Sequence, residues 1–223
     1  MDCRGAGDSE HSEGGHTIEQ YAEDVIAVAN SLGLEKFTYV GHSMGGGIGY
    51  QLGVVHGERL NKLVLVAPIP ASGISAPDSI HSAAKAQRQS VNAREEMIRE
   101  RMVTRVRASK ESVIQGVDRA LSVSEAHFDD SWASMQQFDV SAQLKDLETP
   151  TLVVSGAADG LCAANVNDWQ QLPNATLHVF SRVGHGIPRD VPEDFSIMLG
   201  DFMGYGVVNA RTQQEKLVAS RPS

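Results

Sequence analysis

A short glycine-rich segment contains a serine whose neighbours suit it to act as a nucleophile. Gly41, Ser43 and Gly45 fit the pattern G-x-S-x-G. In this pattern the serine lies on a tight turn between a strand and a helix, and small flanking residues are needed because the backbone is crowded there. The turn exposes the hydroxyl and directs the N–H of the next residue, Met44, towards a developing oxyanion. We therefore predict Ser43 as the nucleophile and Met44 as an oxyanion donor.

A serine nucleophile needs a base, and the base needs a carboxylate that orients it. In the arrangement to which this turn belongs, an acid and then a histidine follow the serine, each at the end of a later strand. Asp159 follows the apolar run 152–154, and His185 follows the run 176–180. Both side chains are therefore expected at the sheet edge that carries the serine, and we predict Asp159 as the acid and His185 as the base.

Other titratable residues compete for these roles. The chain has eight histidines, and His178 falls inside the last predicted strand, where a structural histidine is expected. His42 precedes the serine and is expected to point away from it. Asp168 is the rival of Asp159, but it falls inside a predicted helix and is expected to face solvent.

The elements that position these residues alternate between strand and helix. Strands are predicted at 37–40, 63–66, 152–154 and 176–180, and helices from Thr17 as the N-cap to about residue 32, at 44–55, at 165–172 and at 193–203. Continuous β-branched runs such as 63–66 are typical of strands buried on both faces. This alternation predicts an α/β protein with a parallel sheet and right-handed crossovers.

The middle of the chain has a different composition. No proline lies between Pro77 and Pro150, and Gly116 is the only glycine between Gly73 and Gly156. Strong helix formers fill this stretch, so several helices are expected. We predict a helical insertion over 69–148 and a core formed by 1–68 and 149–223.

The predicted insertion carries an excess of positive charge near its start. Between residues 85 and 110, eight Lys or Arg residues stand against three Glu, a net charge of +5 in a chain of −9. One hypothesis is that these cations steer anionic acyl substrates, and the other is an ordinary solvated helix face.

Composition excludes several classes of function. The acidic balance argues against a nucleic-acid partner. No apolar run approaches the ~18 residues that span a bilayer, so no membrane association is expected. Two cysteines, Cys3 and Cys162, cannot make a disulfide framework, and no apolar segment follows Met1 as in a secretory signal, so a cytoplasmic location is expected. No metal or nucleotide motif is apparent, so no cofactor is expected.

Four motifs together resemble the α/β-hydrolase superfamily. They are the D-x-R-G-x-G-x-S segment at 2–9, the nucleophile turn at 41–46, the G-x-x-D turn ending at Asp159, and the pair Gly184-His185. The resemblance covers nearly the whole chain apart from 69–148, which corresponds to the variable cap. It implies the α/β-hydrolase fold, a parallel sheet with flanking helices and a helical cap insertion. Ser43 argues against the dehalogenases and epoxide hydrolases of this superfamily, which use an aspartate nucleophile.

The predicted function is hydrolysis of an ester, lactone or thioester of a small to medium acyl substrate through an acyl-enzyme. One alternative keeps the triad and changes the reaction to carbon–carbon bond hydrolysis or cofactor-free perhydrolysis. Another is a small-molecule receptor without catalysis, and a further one is an inactive fragment.

The resemblance breaks down at the front of the chain. Members of the superfamily carry strands before the D-x-R-G loop and a His-Gly loop that donates a second oxyanion N–H, whereas here Asp2 follows Met1 directly. The resemblance therefore implies an N-terminally truncated core. We expect the strand at 37–40 to form an exposed edge of the sheet, and the chain to be poorly soluble and weakly active.

Overall fold

The computed structural model describes residues 1–105 and 107–220. Its described part contains a four-stranded sheet with the strand order β1-β2-β3-β4. The strands are β1 Phe37–His42, β2 Leu60–Val66, β3 Thr151–Gly156 and β4 Ala175–Phe180. All three neighbouring pairs are parallel, with Leu65 opposite Gly41 on one side and Val153 on the other. The predicted α/β class and parallel sheet are confirmed.

Helices occupy most of the remaining chain. They are α1 Ile18–Ser31, α2 Met44–Val55, α3 Asp78–Arg88, α4 Ala93–Thr104, α5 Lys110–Ser122, α6 Glu125–Gln137, α7 Cys162–Gln171, α8 Ile187–Asp190, α9 Pro192–Tyr205 and α10 Ala210–Ala219. Thr17 caps α1 as predicted, because its side chain accepts a hydrogen bond from Gln20 N at 3.2 Å. No helix among the described residues is both long and apolar enough to cross a membrane.

The sheet is covered on both faces, because alternate side chains of its strands belong to two different apolar clusters. Leu63, Leu65 and Val153 belong to one apolar cluster, together with residues of α1 and α2. Val64 and Val154 belong to a second cluster, which includes residues of α8 and α9. Since successive side chains of a strand point to opposite faces, the continuous apolar runs of β2 and β3 supply both clusters.

Four helices, α3 to α6, and a 3-10 turn at Ser141–Asp146 lie between β2 and β3 along the chain. The sequence predicted several helices here without giving their bounds. The division into a core of 1–68 and 149–223 and a cap of 69–148 stays a prediction. Helix α10 was not predicted, and none of its residues is buried.

Candidate active site

The turn between β1 and α2 has the strained backbone that a nucleophile turn requires. Ser43 has φ 60° and ψ −119°, and a positive φ is uncommon for a residue with a side chain. A Cβ atom at Gly41 would collide with the carbonyl group of Gly45, so only glycine fits at the first flank. The backbone N–H of Ser43 donates to Val66 O at 2.9 Å, which holds the turn against the end of β2.

The three residues predicted from strand ends come together at this turn. His185 Nε2 lies 2.8 Å from Ser43 Oγ, and His185 Nδ1 lies 2.8 Å from Asp159 Oδ2. A carboxylate only accepts hydrogen bonds, so we assign the imidazole proton to Nδ1. Nε2 is then free to accept the proton of the Ser43 hydroxyl. The three side chains form one continuous hydrogen-bonded line.

Asp159 is held in its ionised form. Its side chain is 6% exposed. Burial alone would raise the pKa of Asp159, but hydrogen bonds from His185 and from the backbone N–H of Leu161, at 3.1 Å, hold that pKa below its ordinary value. An ionised carboxylate at this position fixes the orientation of the imidazole.

His42 supports the loop that carries His185, a contact that the sequence did not reveal. His42 Nε2 donates to the carbonyl oxygen of His185 at 2.7 Å, and the two ring centroids lie 4.8 Å apart. Burial, with a smaller contribution from the positive charges of Arg189 and Arg105, lowers the pKa of His42 to about 4. His42 therefore stays neutral, as its role of donor to a carbonyl group allows.

Met44 is the first residue of α2. The first N–H groups of a helix have no partner within the helix and carry its positive dipole end. The Met44 N–H is therefore of the type that stabilises an oxyanion, and its role in catalysis stays a prediction.

A cavity of about 400 Å³ opens beside Ser43. Its lining includes Met44, Tyr39, Cys3 and Tyr21. This volume is within the ~300–1,000 Å³ usual for small-molecule sites. A larger cavity of about 610 Å³ lies against β4 and α9, and its lining contains none of Ser43, Asp159 and His185.

A buried polar cluster beside the smaller cavity was missed by sequence reasoning. Tyr21 Oη lies 2.8 Å from His127 Nδ1 and 3.2 Å from His16 Nδ1, and His127 Nδ1 also lies 3.0 Å from Arg4 O. These bonds connect the first residues of the chain to α1 and α6. No local pattern signals them, since Tyr21 and His127 are separated by 106 positions.

The expectation that Asp168 faces solvent is wrong. Asp168 is 5% exposed, and its Oδ2 accepts hydrogen bonds from Ala71 N at 2.9 Å and from Tyr50 Oη at 3.2 Å. Burial raises the pKa of Asp168 above its ordinary value. The carboxylate satisfies two buried donors, and it makes no contact with the triad.

The remaining competing groups lie elsewhere. His178 lies within β4, and its ring packs on Phe180 with centroids 4.4 Å apart. Cys3 and Cys162 are free thiols. Across residues 1–105 and 107–220, no three His, Cys, Asp or Glu side chains are grouped so as to hold a metal ion.

Comparison with known proteins identifies the family of this chain. The family model described as alpha/beta hydrolase fold matches residues 1–188. The chain is 27% identical over 226 residues to the 2-hydroxy-6-oxononadienedioate/2-hydroxy-6-oxononatrienedioate hydrolase of Paraburkholderia phymatum, covering 92% of this chain and 75% of that protein. A thermophilic esterase from Thermogutta terrifontis superposes with a TM-score of 0.77 at 25% identity, covering 91% of this chain and 77% of that one.

A second solved structure, described as an N-acyl homoserine lactone degrading enzyme, superposes with a TM-score of 0.73 at 25% identity. The match covers 90% of this chain and 80% of that chain. The family model matches most of the chain and includes the strands that carry Ser43, Asp159 and His185. The chain therefore belongs to the alpha/beta hydrolase fold family of enzymes.

Proposed function

We propose that this protein is a serine hydrolase that cleaves an ester, lactone or thioester of a small to medium acyl substrate. The observation that carries the proposal is the hydrogen-bonded line from Asp159 through His185 to Ser43, with 2.8 Å at each link. Nucleophile, base and orienting acid in this geometry define the triad mechanism on unrelated folds. No bound metal or cofactor is needed for it.

In the first half of the reaction Ser43 Oγ attacks the substrate carbonyl carbon. Its proton passes to His185 Nε2, which lies 2.8 Å away, and the imidazolium that forms is stabilised by Asp159. The carbonyl oxygen becomes an oxyanion, and the N–H of Met44 at the start of α2 donates to it. When the tetrahedral intermediate collapses, His185 returns the proton to the leaving alcohol or thiol, and the acyl group stays on Ser43.

In the second half water replaces the leaving group. His185 removes a proton from water as the water oxygen attacks the acyl-enzyme, and then returns that proton to Ser43 Oγ. The acid product is released and the enzyme is regenerated. For a lactone, the leaving alcohol stays attached to the acyl chain and the product is a hydroxy acid.

The cavity beside Ser43 limits the size of the acyl group. Its volume of about 400 Å³ is near the lower end of the usual range for small-molecule sites, which favours short and medium chains. The two solved structures named above are an esterase and a lactone degrading enzyme, which supports the same class of substrate.

A fluorophosphonate probe tests the nucleophile directly. We expect stoichiometric labelling of Ser43, located by peptide mass spectrometry, because the probe reacts only with an activated serine. Labelling should disappear in Ser43→Ala and persist in the exposed control Ser31→Ala. A panel of p-nitrophenyl esters of rising acyl length then defines the pocket. A protein that is not labelled and cleaves no ester of the panel would contradict the proposal.

Carbon–carbon bond hydrolysis is a second candidate, because the Paraburkholderia phymatum relative is named as a hydrolase of 2-hydroxy-6-oxononadienedioate, a carbon-chain substrate without an ester. The same triad would serve. The two candidates are separated by comparing kcat/KM for that compound with kcat/KM for the best p-nitrophenyl ester. A clear preference for the former would move the assignment to carbon–carbon cleavage.

A further inference from the structure

Three arginine side chains gather beside the loop that carries His185. Arg101 lies on α4, Arg105 is its C-cap, and Arg189 lies on α8. A Cβ atom built on Gly116 of α5 would collide with Arg189 Nη1 and lie 3.6 Å from Arg101 Nη1. These two guanidinium groups therefore share the space that the missing side chain of Gly116 leaves.

The third guanidinium of this arginine cluster lies next to the candidate active site. A Cβ atom on Gly186 would collide with Arg105 Nη1, so the Arg105 guanidinium lies directly over the residue that follows His185. Arg105 and Arg189 are also close enough to His42 to lower the pKa of that imidazole. His42 in turn donates to the backbone of His185, which places the cluster within the surroundings of the triad.

The arginine cluster lacks the negative charge that would balance it. Asp190 forms a loose ion pair with it, because its Oδ1 is 3.8 Å from Arg105 Nη1, too far for a hydrogen bond. Asp190 is 7% exposed, and this oxygen has no hydrogen-bond partner in the described structure. Glu100, whose negative charge also acts on Arg101, accepts a hydrogen bond from Gln87 Nε2 at 2.9 Å, so three arginines stand against two carboxylates.

The arginine side chains of the cluster have no protein partner for their N–H groups within the described residues. Within the described part of the chain, Arg101, Arg105 and Arg189 donate no side-chain hydrogen bond, although all three are partly buried. Burial and mutual repulsion lower the pKa values of Arg101 and Arg189. Bringing like charges together out of water is unfavourable, and an anion bound between them would relieve their repulsion.

We propose that the arginine cluster binds a carboxylate group carried by the substrate. The proposal rests on the function proposed above and names the substrate class: acidic esters, lactones or thioesters. Guanidinium groups are suited to this task because their planar forks donate paired hydrogen bonds to carboxylate oxygens. A carboxylate held here would fix the substrate relative to His185 and would balance the excess charge.

Two pairs of esters test the proposal and locate the charge. The first pair, p-nitrophenyl hemiglutarate and p-nitrophenyl valerate, differs by a carboxylate on the acyl chain. The second pair, 4-carboxyphenyl valerate and phenyl valerate, differs by a carboxylate on the leaving group. For each pair the ratio of kcat/KM, acidic to neutral, is measured for the wild type, Arg105→Gln, Arg189→Gln and Arg99→Gln. Arg99 is the matched control, since it is exposed on the same helix as Arg101 and its replacement removes the same charge.

We expect one pair to show a wild-type ratio that falls by about tenfold or more in Arg105→Gln and in Arg189→Gln, because a hydrogen-bonded charge pair is lost. Arg99→Gln should keep the wild-type ratio. The pair that responds shows whether the carboxylate belongs to the acyl or the leaving group. Ratios that are the same in all four proteins, for both pairs, would overturn the proposal.

A binding measurement separates this proposal from the function on which it rests. Calorimetric titration of Ser43→Ala with glutarate needs no turnover, and we expect binding that is weakened in Ser43→Ala/Arg105→Gln and unchanged in Ser43→Ala/Arg99→Gln. Glutarate binding without ester hydrolysis by the wild type would sink the hydrolase and keep the anion site. Hydrolysis that depends on Ser43, with no glutarate binding and unaltered ratios, would sink the anion site alone.

Discussion

At the residue scale, the hydrogen bonds that join Asp159, His185 and Ser43 predict a large loss of kcat when one of these side chains is replaced. Ser43→Ala should lower kcat by several orders of magnitude, and Asp159→Asn by roughly 10⁴-fold, because the amide favours the wrong imidazole tautomer. The measurement is kcat on the best p-nitrophenyl ester, with Ser31→Ala as the control. Near-normal turnover by purified Ser43→Ala would remove Ser43 from the mechanism.

His42 makes stability depend on pH. Its pKa in the folded protein is about 4, whereas an unfolded chain has the ordinary value of 6.5. As pH falls below 6.5 the unfolded state takes up the proton first, so the free energy of unfolding falls until about pH 4, by about 3 kcal/mol for this group. Above pH 6.5 the contribution is fully present.

Urea unfolding at several pH values between 4 and 7 checks the role of His42. In His42→Gln, whose amide can still donate to the carbonyl oxygen of His185, the part of the acid destabilisation that belongs to His42 should vanish. His11→Gln, at an exposed histidine, is the control and should retain the wild-type profile. Identical pH profiles for His42→Gln and the wild type would show that the imidazole is not protected from protonation.

Sequence reasoning located Ser43, Asp159 and His185 because each lies within five residues of the end of a strand, and parallel strands end at one edge of the sheet. Their assembly at 2.8 Å distances agrees with that reasoning, while their roles in catalysis stay predictions. The contact of His42 with the His185 carbonyl could not be predicted, since it joins residues 143 positions apart through a backbone atom. Every residue has a backbone carbonyl group, so the residue types do not indicate which carbonyl accepts a given hydrogen bond.

At the scale of the elements, a buried carboxylate of α7 stabilises the packing of this helix. Asp168 accepts hydrogen bonds from Ala71 N and Tyr50 Oη, and thus joins α7 to α2 and to the segment after β2. Asp168→Ala should lower the free energy of unfolding by about 2 kcal/mol, because two buried donors lose their acceptor. Asp168→Asn should cost less, since its amide oxygen can still accept. Equal stability of Asp168→Ala and the wild type, measured by urea unfolding, would contradict this role.

The polar face of α7 explains why its sequence was misleading. Asn165 is also buried, and its Nδ2 donates to Pro68 O at 2.8 Å. When some inward-facing residues of a helix are polar, its hydrophobicity pattern resembles that of a solvent-exposed helix. Elements with apolar inward faces, such as β2 and α1, were predicted because the spacing of apolar residues along the sequence indicates which side chains are buried.

At the scale of the whole molecule, the two edges of the sheet differ. The outer edge of β4 is joined to the segment before α10, where Thr176 Oγ1 bonds to both backbone groups of Val208 at 2.7 and 2.9 Å. The outer edge of β1 pairs with no other strand of the described residues, and its Val40 is 46% exposed. Unpaired N–H and C=O groups beside an exposed apolar side chain favour pairing with another chain.

We therefore expect the chain as printed to self-associate through β1 as its concentration rises, because edge-to-edge pairing satisfies those groups. Val40→Lys should reduce the association, since a charge on an edge strand opposes pairing. Val179→Lys is the matched control: Val179 is 40% exposed on β4, the strand whose Thr176 is joined to Val208, and its replacement should leave association unchanged. Sedimentation velocity measures both. A wild-type chain that stays monomeric at every concentration, or a Val179→Lys chain that dissociates as readily as Val40→Lys, would show that β1 is not the contact.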